Sequence, residues 1–188
     1  DGQLLPGLDA AGVPQQLAGS VYGFHYNQLD ELERIVADHG PEIAAIVMEP
    51  MRMVEPEDGF LSQVAEIAKR NGIVLVFDEI TTGWRYLLGG VHQKFGVNPD
   101  MAVFAKGMSN GYPMAAIVGV ESVMECAQKT FISSTYWTEA IGPAAALATI
   151  ENLEKEDAWS TISAASRQVA NSFRMASARH GVPVVIEE

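Results

Sequence analysis

Two unbroken apolar runs, IAAIVM at 43–48 and IVLVF at 73–77, flank a stretch of helical period, and this alternation leaves few folds open. A strand apolar on both faces belongs inside a covered sheet, most often a parallel one. Between the runs, Leu61, Val64, Ala65, Ile67 and Ala68 recur at the spacing of one helix face over 60–71, and Asn71-Gly72 closes the turn. A crossover of that length permits parallel pairing of the two strands. Two more runs continue the pattern: MAVFA (101–105) after Asn98-Pro99-Asp100, and AAIVG (115–119) after Gly111-Tyr112-Pro113. The expectation is an α/β fold with a mixed, mainly parallel sheet flanked by helices.

The flanking segments are read in the same way. Residues 1–26 form a loop or linker, punctuated by Gly2, Pro6, Gly7, Gly12 and Pro14. Asn27 can cap a helix over 28–39, where Leu29, Leu32, Ile35 and Val36 share a face and Gly40-Pro41 ends the run. Helices are expected near 121–129, 139–154 and 158–180, and VPVVIE (182–187) should begin another strand. The chain opens without Met and stops in mid-pattern, which predicts a fragment or a processed piece of a longer protein.

Charge narrows the function. Twelve Lys and Arg face 24 Asp and Glu, a net charge of −12, the opposite of what a phosphate-backbone binder carries. Nucleic acid is a poor partner on this count. No apolar run reaches the length of a membrane span, and no basic segment precedes a short apolar one as in a signal peptide. The single cysteine, Cys126, can form no internal disulfide, which fits a reducing cytoplasm. His25, His39, His92 and His180 lie far apart in sequence, without the spacing of a metal site.

In open α/β sheets ligands gather at the carboxyl ends of the strands. Charged residues stand at two such ends here, Asp78-Glu79 after IVLVF and Lys106 after MAVFA. Placed directly after apolar runs, they need partners, either each other or a ligand. A lysine buried at a strand end sheds its proton more readily, because desolvation disfavours the charged form, and a neutral amine is what imine chemistry requires. A carboxylate on the neighbouring strand could pair with a protonated ring nitrogen, and a lysine with such a carboxylate is the pair that pyridoxal 5′-phosphate (PLP) uses. The segment Gly107-Met108-Ser109-Asn110-Gly111 is small enough to let the amine swing, or is an ordinary turn. Ser133, Ser134 and Thr135 precede a helix expected near Glu139, where hydroxyls and free N–H groups suit a phosphate or merely cap the helix.

Apolar residues followed by Asp-Glu also describe the magnesium-positioning strand of P-loop ATPases. That reading needs a GxxxxGK[ST] loop, and a dinucleotide fold needs GxGxxG after a strand; the sequence has neither. The ATPase alternative then requires a phosphate loop outside this chain.

Three stretches in order, IVLVFDEITTGWR, GVNPDMAVFAKGMSNGYPMAAIVG and FISSTYWTEAIGPAAALATI, closely resemble the class-III aminotransferases, relatives of glutamate-1-semialdehyde aminomutase and ornithine-type transaminases. IAAIVMEP and the Gly59-Phe60-Leu61 turn are similar to that family too, so the likeness covers roughly residues 24–156.

The resemblance implies a fold-type-I PLP transferase, with 27–156 as part of the cofactor-binding large domain and 157–188 as a helix and the start of a C-terminal small domain. It implies Lys106 as the lysine of the PLP aldimine and the carrier of the substrate proton. Asp78 becomes the carboxylate on the pyridine nitrogen, and Ile80 the side chain against one ring face. Ser134 and Thr135 match the position that binds the cofactor phosphate of a neighbouring subunit, hence a homodimer with shared sites. Glu49 and Glu79 are similar to carboxylates that shape the site, and Arg85 to a recurrent arginine of unassigned role. The activity implied is transfer of an amino group between an amino donor and a carbonyl acceptor. The alternatives are an intramolecular 2,1-aminomutase and a catalytically silent scaffold. The family's upstream phosphate turn and ring-stacking aromatic, and most of its small domain, are absent from this sequence. A piece of this kind would expose apolar surface and associate.

Overall fold

A computed structural model describes residues 11–186, so Gly2, Pro6 and Gly7 of the expected linker lie outside the described residues. The chain divides into two compact units, one ending at Ile43 and one beginning at Ala44.

Among its described residues the first unit holds one helix of more than one turn, α1 (Leu29–His39), followed by a 3-10 turn at Gly40–Glu42. Asn27 does not cap it: the N-cap is Gln28, and Asn27 sits one residue earlier in the left-handed region at φ 62°. Asn takes that conformation more readily than other side chains, so the turn signal in Asn27 serves the backbone instead of the cap. The Tyr22 ring stacks on His39 at 4.3 Å, and the Glu31 carboxylate accepts the backbone N–H of His25 at 2.8 Å.

The second unit carries the sheet. Its strands are β1 (Ala45–Met48), β2 (Val74–Asp78), β3 (Met101–Phe104) and β4 (Ala116–Gly119), lying side by side in chain order. β1, β2 and β3 run parallel, while β4 returns antiparallel to β3 with Ala102 opposite Val118. The sheet is mixed and mainly parallel, as the pattern of runs implied.

The crossover between β1 and β2 is α2 (Phe60–Asn71), which buries Phe60, Leu61, Val64, Ile67 and Ala68. Gly59 and Gly72 bracket it, both at positive φ (73° and 67°), a conformation that costs glycine little. Asn71 also donates to the carbonyl of Ile67 at 2.8 Å. Side chains alternate across a strand, and in this register Ile46, Leu75, Phe77, Ala102 and Phe104 form one row, all buried. The opposite row is only half-buried or exposed, with Val47 63% exposed. The expectation that IAAIVM is covered on both faces therefore holds for one face among the described residues.

Beyond the sheet come a single turn, α3 (Glu121–Met124), and a 3-10 segment at Glu125–Lys129, where one helix over 121–129 was expected. The long helices are α4 (Ile141–Lys155) and α5 (Ala158–His180). The strand expected at 182–187 does not form over its described residues, 182–186. The Val182 N–H bonds back to the Ser177 carbonyl, and the Ser177 hydroxyl donates to the Val182 carbonyl at 2.5 Å. These bonds tie the segment to the end of α5, and Pro183 has no N–H for a sheet ladder. Among the described residues no helix is long and apolar enough to cross a membrane.

Candidate active site

Each of the three parallel strands delivers a charged residue just past its carboxyl end: Glu49 after β1, Asp78-Glu79 at β2, and Lys106 shortly after β3. Alternation sends Asp78 and Glu79 to opposite sides. Asp78, paired in register with Val103, follows the half-buried row of Val74 and Val76. Its Oδ1 accepts the N–H of Ile80 at 2.9 Å, which turns the chain sharply.

Glu79 follows Phe77 into the interior and is 0% exposed. A carboxylate there must be fully hydrogen-bonded, and it is. It accepts from the Thr82 hydroxyl at 2.5 Å, from the His92 N–H at 2.9 Å and from His92 Nδ1 at 2.8 Å. Burial is the largest single influence on its proton affinity and pushes it up. The bonds from the His92 ring, the Thr82 hydroxyl and the backbone N–H groups of His92 and Val91 together outweigh it and hold the carboxyl below the ordinary glutamate range. Gly90 leaves room for this cluster: a Cβ there would lie 2.4 Å from His92 Nδ1 and 2.8 Å from Glu79 Oε1. Glu79 is thus a structural anchor for the excursion between β2 and β3.

Lys106 stands in the 3-10 turn Lys106–Met108, with its backbone in the left-handed region at φ 45°. Its Nζ donates to Thr81 Oγ1 at 2.9 Å, reaching across to the turn that follows Asp78. Two expectations are corrected here. Lys106 is exposed, so the described residues do not supply the expected desolvation. The segment after it is pinned rather than loose. Met108 packs with Ala102, Phe104 and Ala146, Ser109 is buried and donates to the Tyr112 carbonyl, and Gly107 lies so close to the Gly83 carbonyl that a Cβ would come within 2.9 Å.

Beside Lys106 opens a cleft of about 1400 Å³, with Trp84, Arg85, Tyr112, Asn152 and Ile162 among its walls. Trp84, Lys106 and Asn110, all lining it, hold positive φ of 60°, 45° and 47°. Backbone strain of this kind persists only where the surroundings impose it, and it clusters at working sites. The Trp84 ring meets Phe104 edge-on at 4.7 Å, its carbonyl accepts the indole N–H of Trp159 at 3.0 Å, and its own indole nitrogen is buried without a partner among the described residues. Asp78, at the tip of β2, and Ile80, two residues on, are not among the residues that line it.

The remaining candidates are dispersed. Glu49 is engaged by Arg52, Nη1 to Oε1 at 3.2 Å. Arg85 is exposed on the cleft wall with its side chain against Gly107. Ser134 and Thr135 are exposed and line no part of the cleft, and the Ser134 hydroxyl accepts the Tyr136 N–H at 3.2 Å. The helix start expected near Glu139 falls at Ile141, and Glu139 itself occupies it: its carboxylate accepts the N–H groups of Ile141 at 2.5 Å and Gly142 at 3.1 Å. Those two donors are therefore satisfied within the chain, not free for a phosphate. Among the described residues no group of three or more His, Cys, Asp or Glu could hold a metal ion.

Sequence reasoning passed over Thr81, Thr82 and His92. Thr81 and Thr82 stand inside the quoted run IVLVFDEITTGWR, and the signal for His92 was the demand of Glu79 for donors once buried.

A mixed, mainly parallel sheet flanked by helices is a fold this chain shares with PLP-dependent transferases. A Sphingopyxis protein, FumI, solved in its PLP internal aldimine form, superposes with a TM-score of 0.85 over 91% of this chain and 43% of its own, at 24% identity. An omega-transaminase from Sphaerobacter thermophilus superposes with a TM-score of 0.70 at 29% identity, over 76% of this chain and 35% of its own. Residues 7–186 match the family model "Aminotransferase class-III", and the chain belongs to that family. It is 38% identical over 92% of its length to a 3-aminobutyryl-CoA aminotransferase from Cloacimonas acidaminovorans, of which it covers 44%. To a glutamate-1-semialdehyde 2,1-aminomutase from Neisseria meningitidis it is 31% identical, again over 92% of its length and 42% of the relative's. The chain spans less than half the length of the curated relatives it matches. Family membership removes the ground for the ATPase alternative.

Proposed function

We propose that the protein is a PLP-dependent aminotransferase that moves an amino group between a small amino donor and a carbonyl acceptor. The observation carrying this reading is the parallel pairing of β2 with β3, Asp78 in register with Val103, which sets the strand tips that bear Asp78 and Lys106 side by side. The donor set fits PLP at two contacts, an amine for the aldehyde and a carboxylate for the ring nitrogen. The cofactor would supply an electron sink for the bond-breaking step.

In this reading Lys106 binds the cofactor and shuttles the proton of the substrate carbon. Asp78 keeps the ring nitrogen protonated, and Ile80 covers one ring face. Glu49 and Glu79 shape the surroundings, Glu79 from within the core. Residues 27–156 belong to the cofactor-binding large domain and 157–188 to the start of the small domain. Ser134 and Thr135 reach the phosphate held by a second copy, which makes the enzyme a homodimer. Exposed apolar neighbours, Phe131 at 96% and Trp137 at 68%, support burial of that segment against a partner. The exposed, unpaired Cys126 agrees with a reducing cytoplasm, the compartment we assign.

The test is borohydride reduction of the whole protein with PLP, followed by peptide mapping. Label on Lys106, lost in Lys106→Ala, supports the reading; label elsewhere, or none, ends it and leaves a silent scaffold. The 31% identity to an aminomutase favours one second reading, intramolecular 2,1-transfer. Turnover of a single compound without an acceptor would select it.

A further inference from the structure

We propose that Thr81 is the positioning residue for the Lys106 amine, a catch at the tip of β2 that holds the nitrogen beside the carboxylate strand. The inference rests on the aminotransferase reading and assigns a role that Lys106 and Asp78 alone leave open: what fixes an exposed lysine.

An exposed lysine stem rotates freely, and its ammonium is well served by water. A hydrogen bond from a charged donor to a fixed acceptor biases that population by about tenfold. Thr81 Oγ1 is the acceptor recorded for Nζ, at 2.9 Å. Threonine is stiff at χ1, and the backbone around Thr81 is held on both sides. The Glu79 N–H bonds to the Val103 carbonyl at 2.9 Å, which ties the turn to β3. The Gly83 N–H closes back on the Glu79 carbonyl at 2.8 Å, and the Thr82 hydroxyl is held by the buried Glu79 carboxylate.

The lysine side of the contact is equally constrained. Lys106 follows Val103 by three residues, and a Cβ on Gly107 would meet the Gly83 carbonyl oxygen at 2.9 Å, so the turn after β2 and the turn after β3 come close at this glycine. Lys106 itself holds a left-handed φ of 45° here, a conformation that persists only where the surroundings over-determine it. A single turn, 79–83, thus grips β3 and catches the side chain that leaves it. Residues that do no chemistry themselves, Glu79, Thr82 and His92, fix Thr81, and Thr81 fixes the amine.

The experiment uses the whole protein in its cofactor-free form. PLP is added, the Lys106 nitrogen attacks the aldehyde carbon, one water leaves, and borohydride delivers hydride to give a stable secondary amine. Thr81→Val and Thr81→Ala should slow capture at Lys106 about tenfold, and Thr81→Ser should restore it. Thermal midpoints report on folding, and if Thr81→Val fails to fold, the Ala and Ser variants decide the matter. A second readout needs no cofactor: after reductive ¹³C-dimethylation, the Lys106 methyl resonance should lie apart from surface lysines in the parent and in Thr81→Ser, and join them in Thr81→Ala. Capture at the parental rate in folded Thr81→Ala, or an unshifted methyl resonance, overturns the role of Thr81 and leaves the aminotransferase reading standing. Failure of the parent to label at Lys106 strikes that reading instead, while the methyl resonance still judges Thr81.

Discussion

The buried carboxylate of Glu79 accepts two hydrogen bonds from one residue, His92: the backbone N–H at 2.9 Å and ring Nδ1 at 2.8 Å. An ionised carboxylate can only accept, so Nδ1 carries a proton in this arrangement. The pair closes the excursion between β2 and β3, the same excursion that presents Thr81 to Lys106.

Removing the carboxylate should therefore cost stability before it costs chemistry. Glu79→Ala strands the His92 N–H, the His92 ring and the Thr82 hydroxyl in the core, at a cost of about 3 kcal/mol. Urea denaturation at neutral pH measures it. A loss under about 1 kcal/mol would mean that water replaces the carboxylate there.

Gly90→Ala tests the same cluster from outside. Its Cβ would press on both His92 Nδ1 and Glu79 Oε1, and both are held by hydrogen bonds that resist displacement. The expected destabilisation is about 1–3 kcal/mol, read as a lowered midpoint in the same denaturation assay.

Acid should weaken the fold through Glu79. Its folded-state proton affinity is depressed, so the unfolded chain takes up the proton first, at the ordinary glutamate value of about 4.3. The contribution is complete above that value and is lost as pH falls through the lower, folded one. Stability of the parent should drop more steeply below about pH 4 than that of Glu79→Gln, which has no proton to gain there. Parallel slopes for the two would contradict the assignment.

Asp78→Asn separates chemistry from folding. An amide oxygen can still accept the Ile80 N–H that Asp78 Oδ1 holds, so the thermal midpoint should stay near the parent's. Transaminase turnover should fall on the order of hundredfold or more, because a neutral amide cannot keep a ring nitrogen protonated. Near-parental turnover would remove Asp78 from the proposed site.

Trp159→Phe cuts the bond between α5 and the Trp84 carbonyl on the cleft wall. A loss of about 1 kcal/mol is expected. Hydrogen exchange at the Trp84 N–H, which bonds to the Gly89 carbonyl, should quicken with it.

Much of this architecture is written locally. Periodicity marks α2 and α5 to within a residue at either end, because a helix or strand shows its spacing in the residues that form it. The strand-tip positions of Asp78 and Lys106 follow from the same local pattern, and the three ordered motifs carry the family. Where partners lie far along the chain, the sequence is silent. The stretch 182–186 has the apolar look of a strand, yet Val182 bonds to Ser177 at the end of α5. The N–H groups at the start of α4 look free for a phosphate, but the carboxylate of Glu139 takes those of Ile141 and Gly142.

By itself the sequence determined the order of the four strands and of the long helices, the charged groups at the strand tips and membership in the class-III aminotransferases. Tertiary structure alone decided that Glu79 is buried on His92, that the 107–111 segment is pinned, and that Lys106 reaches Thr81. The reason is physical: alternation and helical period act between near neighbours, whereas a buried carboxylate and an exposed amine find their partners only after the turns after β2 and β3 have been brought together.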